Sequence, residues 1–445
     1  MKKYFKTYKN ILQLALPVML SQLGQVTVQF ADNMMVGRVG TTELAAASFA
    51  NSVFVIGMLF ATGISMGLTP LVGKAFLKKD GKQIVNYLKN GTILYILIGV
   101  LAACVLTVLS FLLHKMGQTA EVARLAQPYM WVLIISLLPL MVFSSFKQFL
   151  EGMGNTKIAM IITVGSNFVN ISLNYLLIYG KCGFPELGLL GAGVSTMIAR
   201  FIMAFAIVIC FNVSEKLRYL LQKAYCIPPR ISEMIALLKI GVPIGVQVIF
   251  EVLIFSLSGI MMGWIGEKAL AAHQITLSMT TLSYMISLGI GSAATIRVSH
   301  AMGANDVSRI KRLIHATAHL TVGLMGTMGI VFIICRHQLP MLFTNDSKVI
   351  LISANLFIIA AMFQIFDSLQ VALLASLRGL TDVNIPMVMA VISYLFIGIP
   401  TCYLFAFTLN FGPIGIWFGL LCGLAVAAIL FALRLRFKVK QLEQR

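Results

Sequence analysis

Twelve apolar stretches recur along this chain, and each is long enough to cross the ~30 Å hydrocarbon core of a bilayer. They fall at 10–37, 44–72, 90–113, 122–149, 158–179, 188–212, 233–264, 269–296, 313–335, 348–376, 385–408 and 413–435. Several exceed 25 residues, which implies tilt, kinks or ends that reach beyond the bilayer. Pro17 and Pro243 sit inside their stretches and each removes one backbone hydrogen bond, so both are bend points. Only 11% of the residues are charged, against about 25% in soluble domains. The chain therefore reads as one all-α integral membrane unit, not as the roughly three soluble domains its length would allow. Seven cysteines are scattered without paired spacing, which argues against a zinc site or a disulfide framework. The basic start "MKKYFKTYKN" is followed by no short apolar core with a small-residue cleavage site, so the first stretch reads as a retained helix.

The net charge of +19 suggests nucleic acid until the charges are placed. With the N-terminus inside, 26 of the 34 Lys and Arg lie on inner segments and seven on outer loops. That asymmetry sets both termini in the cytoplasm of a multi-pass plasma-membrane protein, the bacterial inner membrane. The basic charge is a topology signal, and no nucleic-acid partner is implied.

The chain is also written twice. A shift of 226 residues aligns Pro17 with Pro243, Met35 with Met261, Gly37 with Gly263, Gly40 with Gly266 and Asp80 with Asp306. A shift of 227 pairs "LEGMGNTKIAM" (150–160) with "LRGLTDVNIPM" (377–387), and 224 pairs "GLLGAG" (188–193) with "GPIGIW" (412–417). Random apolar helices share Leu and Ala; they do not share Pro, Gly and loop Asp in one register. The expected fold is two homologous six-helix bundles. Six crossings per bundle relate them by a pseudo-twofold axis along the membrane normal. Residues 1–212 form an N-lobe, 213–232 a cytoplasmic linker, and 233–445 a C-lobe with a basic tail. Two rocking lobes around a cavity are a common transporter plan, but function must come from sites.

Three acids lie inside apolar stretches: Asp32, Glu251 and Asp367. A carboxylate in hydrocarbon costs about 3 kcal/mol on insertion scales, so an intramembrane acid is by default a functional residue. Asp32 lies ~12 Å beyond the middle of the first span, toward the outside. Arg200 is the only basic residue well within a span, and its inner position makes it a poor partner for Asp32. Better company is uncharged. Asn170 and Asn174 lie one turn apart on the fifth span, and Ala192 and Thr196 one turn apart on the sixth, all near the depth of Asp32. One carboxylate with amide, hydroxyl and carbonyl oxygens makes a hard-cation shell suited to Na⁺. The same Asn and Thr residues also suit interhelical hydrogen bonding, and spacing alone leaves both readings open.

These residues resemble the multidrug and toxic compound extrusion (MATE) family along nearly the whole chain. The likeness rests on "LPVMLSQLGQVTVQFADNMMVGRVG" in the first span and "LEGMGNTK" after the fourth. "GVPIGVQVIFE" leading to Glu251 and "FQIFDSLQ" around Asp367 extend it to the second half and to the NorM-type branch. The resemblance implies an antiporter in which influx of Na⁺ or H⁺ drives export of lipophilic organic cations. It implies a cation site at Asp32, Asn170, Asn174, Ala192 and Thr196, and a second at Glu251 and Asp367. Either could hold Na⁺. Asp32, Glu251, Asp367 and Phe363 form the implied substrate-binding set. Members of the NorM-type branch can carry a tyrosine where Phe363 stands, one turn before Asp367. No covalent cofactor and no catalytic residue are implied, and the chain is taken as a monomer.

Other classes fit less of the sequence. An integral membrane enzyme needs clustered His, Cys or paired acids. Of six histidines only His315 and His319 lie one turn apart, beside a basic loop that suits surface or headgroup contact. A channel should present a symmetric filter, and unequal acids in the two halves do not. A flippase or exporter of a lipid-linked or other endogenous metabolite is the nearest alternative. A pyrophosphate lipid, though, calls for a cationic cavity, not three acids against Arg200.

Overall fold

The computed structural model describes residues 2–444, without the side chains of Lys2 and Lys3. Three of the charges assigned above to the inner side thus lie outside the described residues. Twelve helices among the described residues are long and apolar enough to cross a membrane, and the chain is a multi-pass membrane protein. The first half runs α1 (Lys2–Gly37), α2 (Thr41–Ser65) with its continuation α3 (Leu68–Leu77), α4 (Gly81–Leu112), α5 (Ala120–Gly152), α6 (Lys157–Tyr179), α7 (Leu189–Val213) and the short charged α8 (Glu215–Cys226). The second runs α9 (Ile231–Ile265), α10 (Glu267–Gly303), α11 (Val307–Ile334), the single turn α12 (Gln338–Met341) and α13 (Ser347–Gly379). An eleventh span follows from α14 (Asn384–Val391) to α15 (Ile399–Tyr403), and α16 (Pro413–Glu443) ends the chain. In that eleventh span Ile392–Gly398 and Leu404–Thr408 are wound as π-helix. Such wide turns are rare and gather at functional sites.

The repeat is written into local structure. The 226-residue shift carries the first residues of α2 and α4 onto those of α10 and α11, and the 227-residue shift carries both ends of α5 onto those of α13. The aligned aspartates are N-caps: Asp80 accepts from Gln83 N at 3.0 Å and Asp306 from Arg309 N at 2.9 Å. This cap starts α4 at Gly81, well before the apolar run at 90. Gly188 and Gly412, which precede α7 and α16, have φ of 52° and 57°, where a side chain is strained. One turn on, Gly191 and Gly415 let the helix touch the backbone of the preceding span. A Cβ would meet Leu177 O at 2.6 Å and Phe405 C at 2.5 Å.

By packing, the chain divides into two compact units: residues 20–245, and residues 1–19 with 246–445. The lobes expected from sequence divide at the linker, whereas these boundaries fall inside α1 and α9, within a turn of Pro17 and Pro243. A proline frees one backbone hydrogen bond, and such a turn is where a helix readily changes neighbours. Ile11, Leu14, Ala15 and Met19 accordingly join the core of the second-half unit, and α8 packs on α4 and α7. Each unit packs around one long, largely buried helix. In residues 20–245 it is α5, held by α2, α4 and α7; in the other unit it is α13, held by α10, α11 and α16.

Gly191→Ala and Gly415→Ala should each destabilise the protein by about 1–3 kcal/mol through overpacking. Gly323→Ala, with no neighbour within 4 Å, should be neutral. Thermal unfolding midpoints in detergent test this, and equal midpoints for all three variants would refute the close contact.

Candidate functional site

In residues 20–245, Asp32 is half-buried on α1 and receives a short hydrogen bond from Asn174 Nδ2 on α6. The same nitrogen lies 3.2 Å from Asn170 Oδ1, one turn earlier, and Asn170 Nδ2 lies 3.4 Å from Thr196 Oγ1 on α7. With the Asn170 amide turned over, its nitrogen donates to Asp32 Oδ1 at 3.3 Å and its oxygen accepts from Thr196 N at 3.3 Å. In either orientation three helices converge on one carboxylate. Asn174 is fully buried, and its Oδ1 has no hydrogen-bond partner among the described residues. A buried amide oxygen beside a carboxylate is an incomplete polar shell that a cation or water can complete. Ala192, one turn before Thr196, is buried in the apolar core of the unit.

Arg200 turns elsewhere. Its guanidinium donates to Ser136 Oγ at 2.7 Å and lies 5.3 Å from the centre of the Phe54 ring. Asp32 and Arg200 form no ion pair among the described residues, and the attraction between them acts only at longer range.

The acids of the second-half unit have a different escort. Glu251 on α9 accepts from Tyr284 Oη on α10 at 2.7 Å. Asp367 on α13 lies 3.5 Å from Gln370 Nε2, one turn later, and Gln370 Oε1 accepts from Tyr394 Oη at 2.8 Å. Tyr394 comes from the first π-helical segment of the eleventh span. Both acids are buried, at 9% and 5% exposure, and close enough to repel each other. Arg378, near the end of α13, donates to Gln247 Oε1 at 3.0 Å, one turn before Glu251, and its charge reaches Glu251. Sequence named Arg200 as the only cation well within a span; Arg378 is a second, because its long side chain turns back into the bundle.

Phe363 is 2% exposed and packs edge-on against Trp417 at 5.2 Å and against Phe255 at 6.1 Å. It is part of an aromatic wall one turn from Asp367, with no oxygen to offer an ion. Tyr284, Gln370, Tyr394 and Arg378 were missed by sequence reading. Gln370 had a legible signal, since it lies one turn from Asp367. Tyr394 had none, because the π-helical turns shift its facing. His319, by contrast, is exposed and lies 3.3 Å from Tyr8 Oη, in keeping with a surface role.

The MatE family model matches residues 17–176 and 243–404. A probable multidrug resistance protein NorM from Rhizobium meliloti (strain 1021) is 34% identical over 95% of this chain and 92% of its own length. The multidrug resistance protein NorM of Vibrio cholerae is 32% identical over 99% of this chain and 98% of its own. Among solved structures, a multidrug resistance MATE family transporter of the MOP superfamily, in an outward-facing conformation, superposes with TM-score 0.89 at 20% identity. It covers 99% of this chain and 97% of that one. A eukaryotic MATE transporter superposes with TM-score 0.87 at 20% identity over 99% of both chains. At that identity the structures speak to fold alone.

The Tyr284–Glu251 hydrogen bond should contribute about 1.5–3 kcal/mol if the acid is charged. Tyr284→Phe and Glu251→Ala, singly and together, form a double-mutant cycle read by thermal unfolding. A coupling energy near zero would mean that the two side chains do not act as a pair.

Proposed function

The chain belongs to the MatE family, and from that premise we propose that it is a multidrug efflux transporter. It exchanges lipophilic, mostly cationic compounds for Na⁺ or H⁺. The observation that carries this reading is the carboxylate of Asp32, lodged in an apolar span and ringed by Asn170, Asn174 and Thr196 from two further helices. One negative charge in such a place can balance an organic cation or a coupling ion, but not both. Competition for it is the simplest antiport mechanism. Carboxylate, amide and hydroxyl oxygens fit Na⁺, and the carboxylate alone suffices for H⁺.

Ion binding neutralises Asp32 and removes the expense of burying its charge. α1 is then free to bend near Pro17 and release the drug on the outside. Entry of one positive charge adds ~2.3 kcal/mol per 100 mV of membrane potential, enough to bias two states separated by a few kcal/mol. Glu251 and Asp367, held by Tyr284 and Gln370, form a second cation site. The aromatic wall of Phe363, Trp417 and Phe255 supplies an apolar surface beside Asp367. The protein works as a monomer in the inner membrane, with both termini cytoplasmic.

Asp32→Asn mimics the ion-loaded form permanently. It should bind a cationic dye about tenfold more weakly than wild type, and it should ignore Na⁺ and pH. In wild type, adding Na⁺ or lowering the pH neutralises the carboxylate, so dye affinity should fall. The check is dye binding to purified protein across Na⁺ and pH titrations. A variant that binds as tightly as wild type and still responds to the ion would reduce Asp32 to a structural acid.

Glu251→Gln and Asp367→Asn should each abolish dye export from cells while the protein remains expressed and folded. Wild-type resistance in cells carrying either variant would remove the second site.

A further inference from the structure

Within the unit of residues 1–19 and 246–445, a cavity of about 320 Å³ opens at the end of the bundle that carries the N-terminus. That volume is in the range of small-molecule sites, roughly 300–1,000 Å³. Lys6 and Asn10 of α1, Arg297 of α10, and Arg309 and Arg312 of α11 line it, with one carboxylate, Asp306. Four cations therefore face one acid, and that acid already caps α11 through Arg309 N. Arg297 is anchored by two hydrogen bonds to Asn10 O, at 3.3 and 3.1 Å, and its other N–H donors have no hydrogen-bond partner among the described residues. Arg309 lies near enough for its charge to oppose that of Arg297. The neighbouring acid Glu443 is engaged by Lys311. Like charges gathered around a cavity call for an anion.

The internal repeat offers a comparison within one chain. The 226-residue shift places Arg309 on Gln83, Arg312 on Asn86, Arg297 on Leu71 and Thr7 on Glu233. In residues 20–245, Gln83 Nε2 donates to Glu233 Oε2 at 2.9 Å, so an acid–amide bond occupies the equivalent position. In the other unit both partners differ: the acid is a threonine and the amide an arginine. Topology needs positive charge on this face of the membrane. It does not need three arginines converging where the other copy closes the gap with neutral and acidic groups.

We infer that this cavity binds a phosphate group, presented by an anionic lipid headgroup at the membrane face or by a free phosphate in the adjoining aqueous phase. Guanidinium forks match phosphate oxygens bidentately, and basic pockets between membrane helices on the inner side suit lipid phosphates. Exposed Tyr4 and Phe5 on the same end of α1 provide an interfacial aromatic anchor.

The test follows thermal unfolding of the detergent-purified full-length protein against short-chain phosphatidylglycerol, short-chain phosphatidylcholine and inorganic phosphate. Wild type should be stabilised by phosphatidylglycerol over phosphatidylcholine. Arg309→Gln with Arg312→Asn, which installs the side chains of the other repeat, should weaken that response by about tenfold or more. Lys311→Gln, whose lysine is paired with Glu443 outside the cavity, should keep it. Stabilisation by phosphatidylglycerol alone assigns the site to lipid, and stabilisation by inorganic phosphate, with or without the lipid, assigns it to a free phosphate group. No stabilisation of wild type by either would overturn the inference. So would an equal response from the arginine variant, or no preference between the two lipids where inorganic phosphate does not stabilise the protein either. Native mass spectrometry of protein drawn from vesicles of equal phosphatidylglycerol and phosphatidylcholine gives a second reading. Wild type should retain phosphatidylglycerol if the lipid arm holds, and the arginine variant should lose it even if its unfolding midpoint differs.

Discussion

Hydrocarbon offers no hydrogen bonds, and most of this structure answers to that fact. Every spanning segment closes its backbone bonds within a helix. The three acids singled out in those spans each have a donor: Asp32 from Asn174 and Glu251 from Tyr284 on neighbouring helices, and Asp367 from Gln370 on its own helix. A charged or polar group left alone there costs several kcal/mol. Asp32 and Glu251 therefore draw in neighbouring helices, and the helices around the three acids define the candidate sites. What each acid can exchange for its protein donors, whether a proton, a metal ion or an organic cation, is the chemistry available to the protein.

Duplication supplied the scaffold but not the chemistry. Helix starts, aspartate caps and close-contact glycines recur in register between the halves. The acids do not. Under the same shifts Asp32 falls on Ser258, Glu251 on Gln25 and Asp367 on Leu140. The arginine cavity follows the same rule, since its counterpart is closed by Gln83 and Glu233. Backbone demands, such as a positive φ or a helix cap, were kept in both copies because each fold unit needs them. Side chains that face a cavity were free to diverge, and each unit now carries its own polar cluster.

Both what was legible and what was not have physical causes. Span number, repeat register and the three intramembrane acids rest on patterns that local sequence must obey, so they could be read directly. Asn170 and Asn174 were legible because helical spacing puts residues four apart on one face; the structure brings them to Asp32, and Thr196 joins through Asn170. Tyr394 was not legible, because π-helical turns break that spacing. Arg378 was not, because a long side chain can place its charge far from its own backbone position. Phe363 drew attention by its place next to Asp367, and packing made it part of an aromatic wall.

Sequence alone determined that this chain is a doubled array of membrane helices, since apolar length and repeated Pro, Gly and Asp leave little else to build. It also determined which carboxylates sit in hydrocarbon. Only the tertiary structure decided their company: the amides around Asp32, the tyrosine on Glu251, and the arginines that share a cavity beside the first turns of α1. It also set the packing boundaries at Pro17 and Pro243 and not at the charged linker. The reason is that helix periodicity specifies which face of a helix is polar, whereas the neighbour that face meets depends on how the helices pack. Residues such as Lys6 and Arg309, 303 positions apart, become neighbours only when the bundle closes.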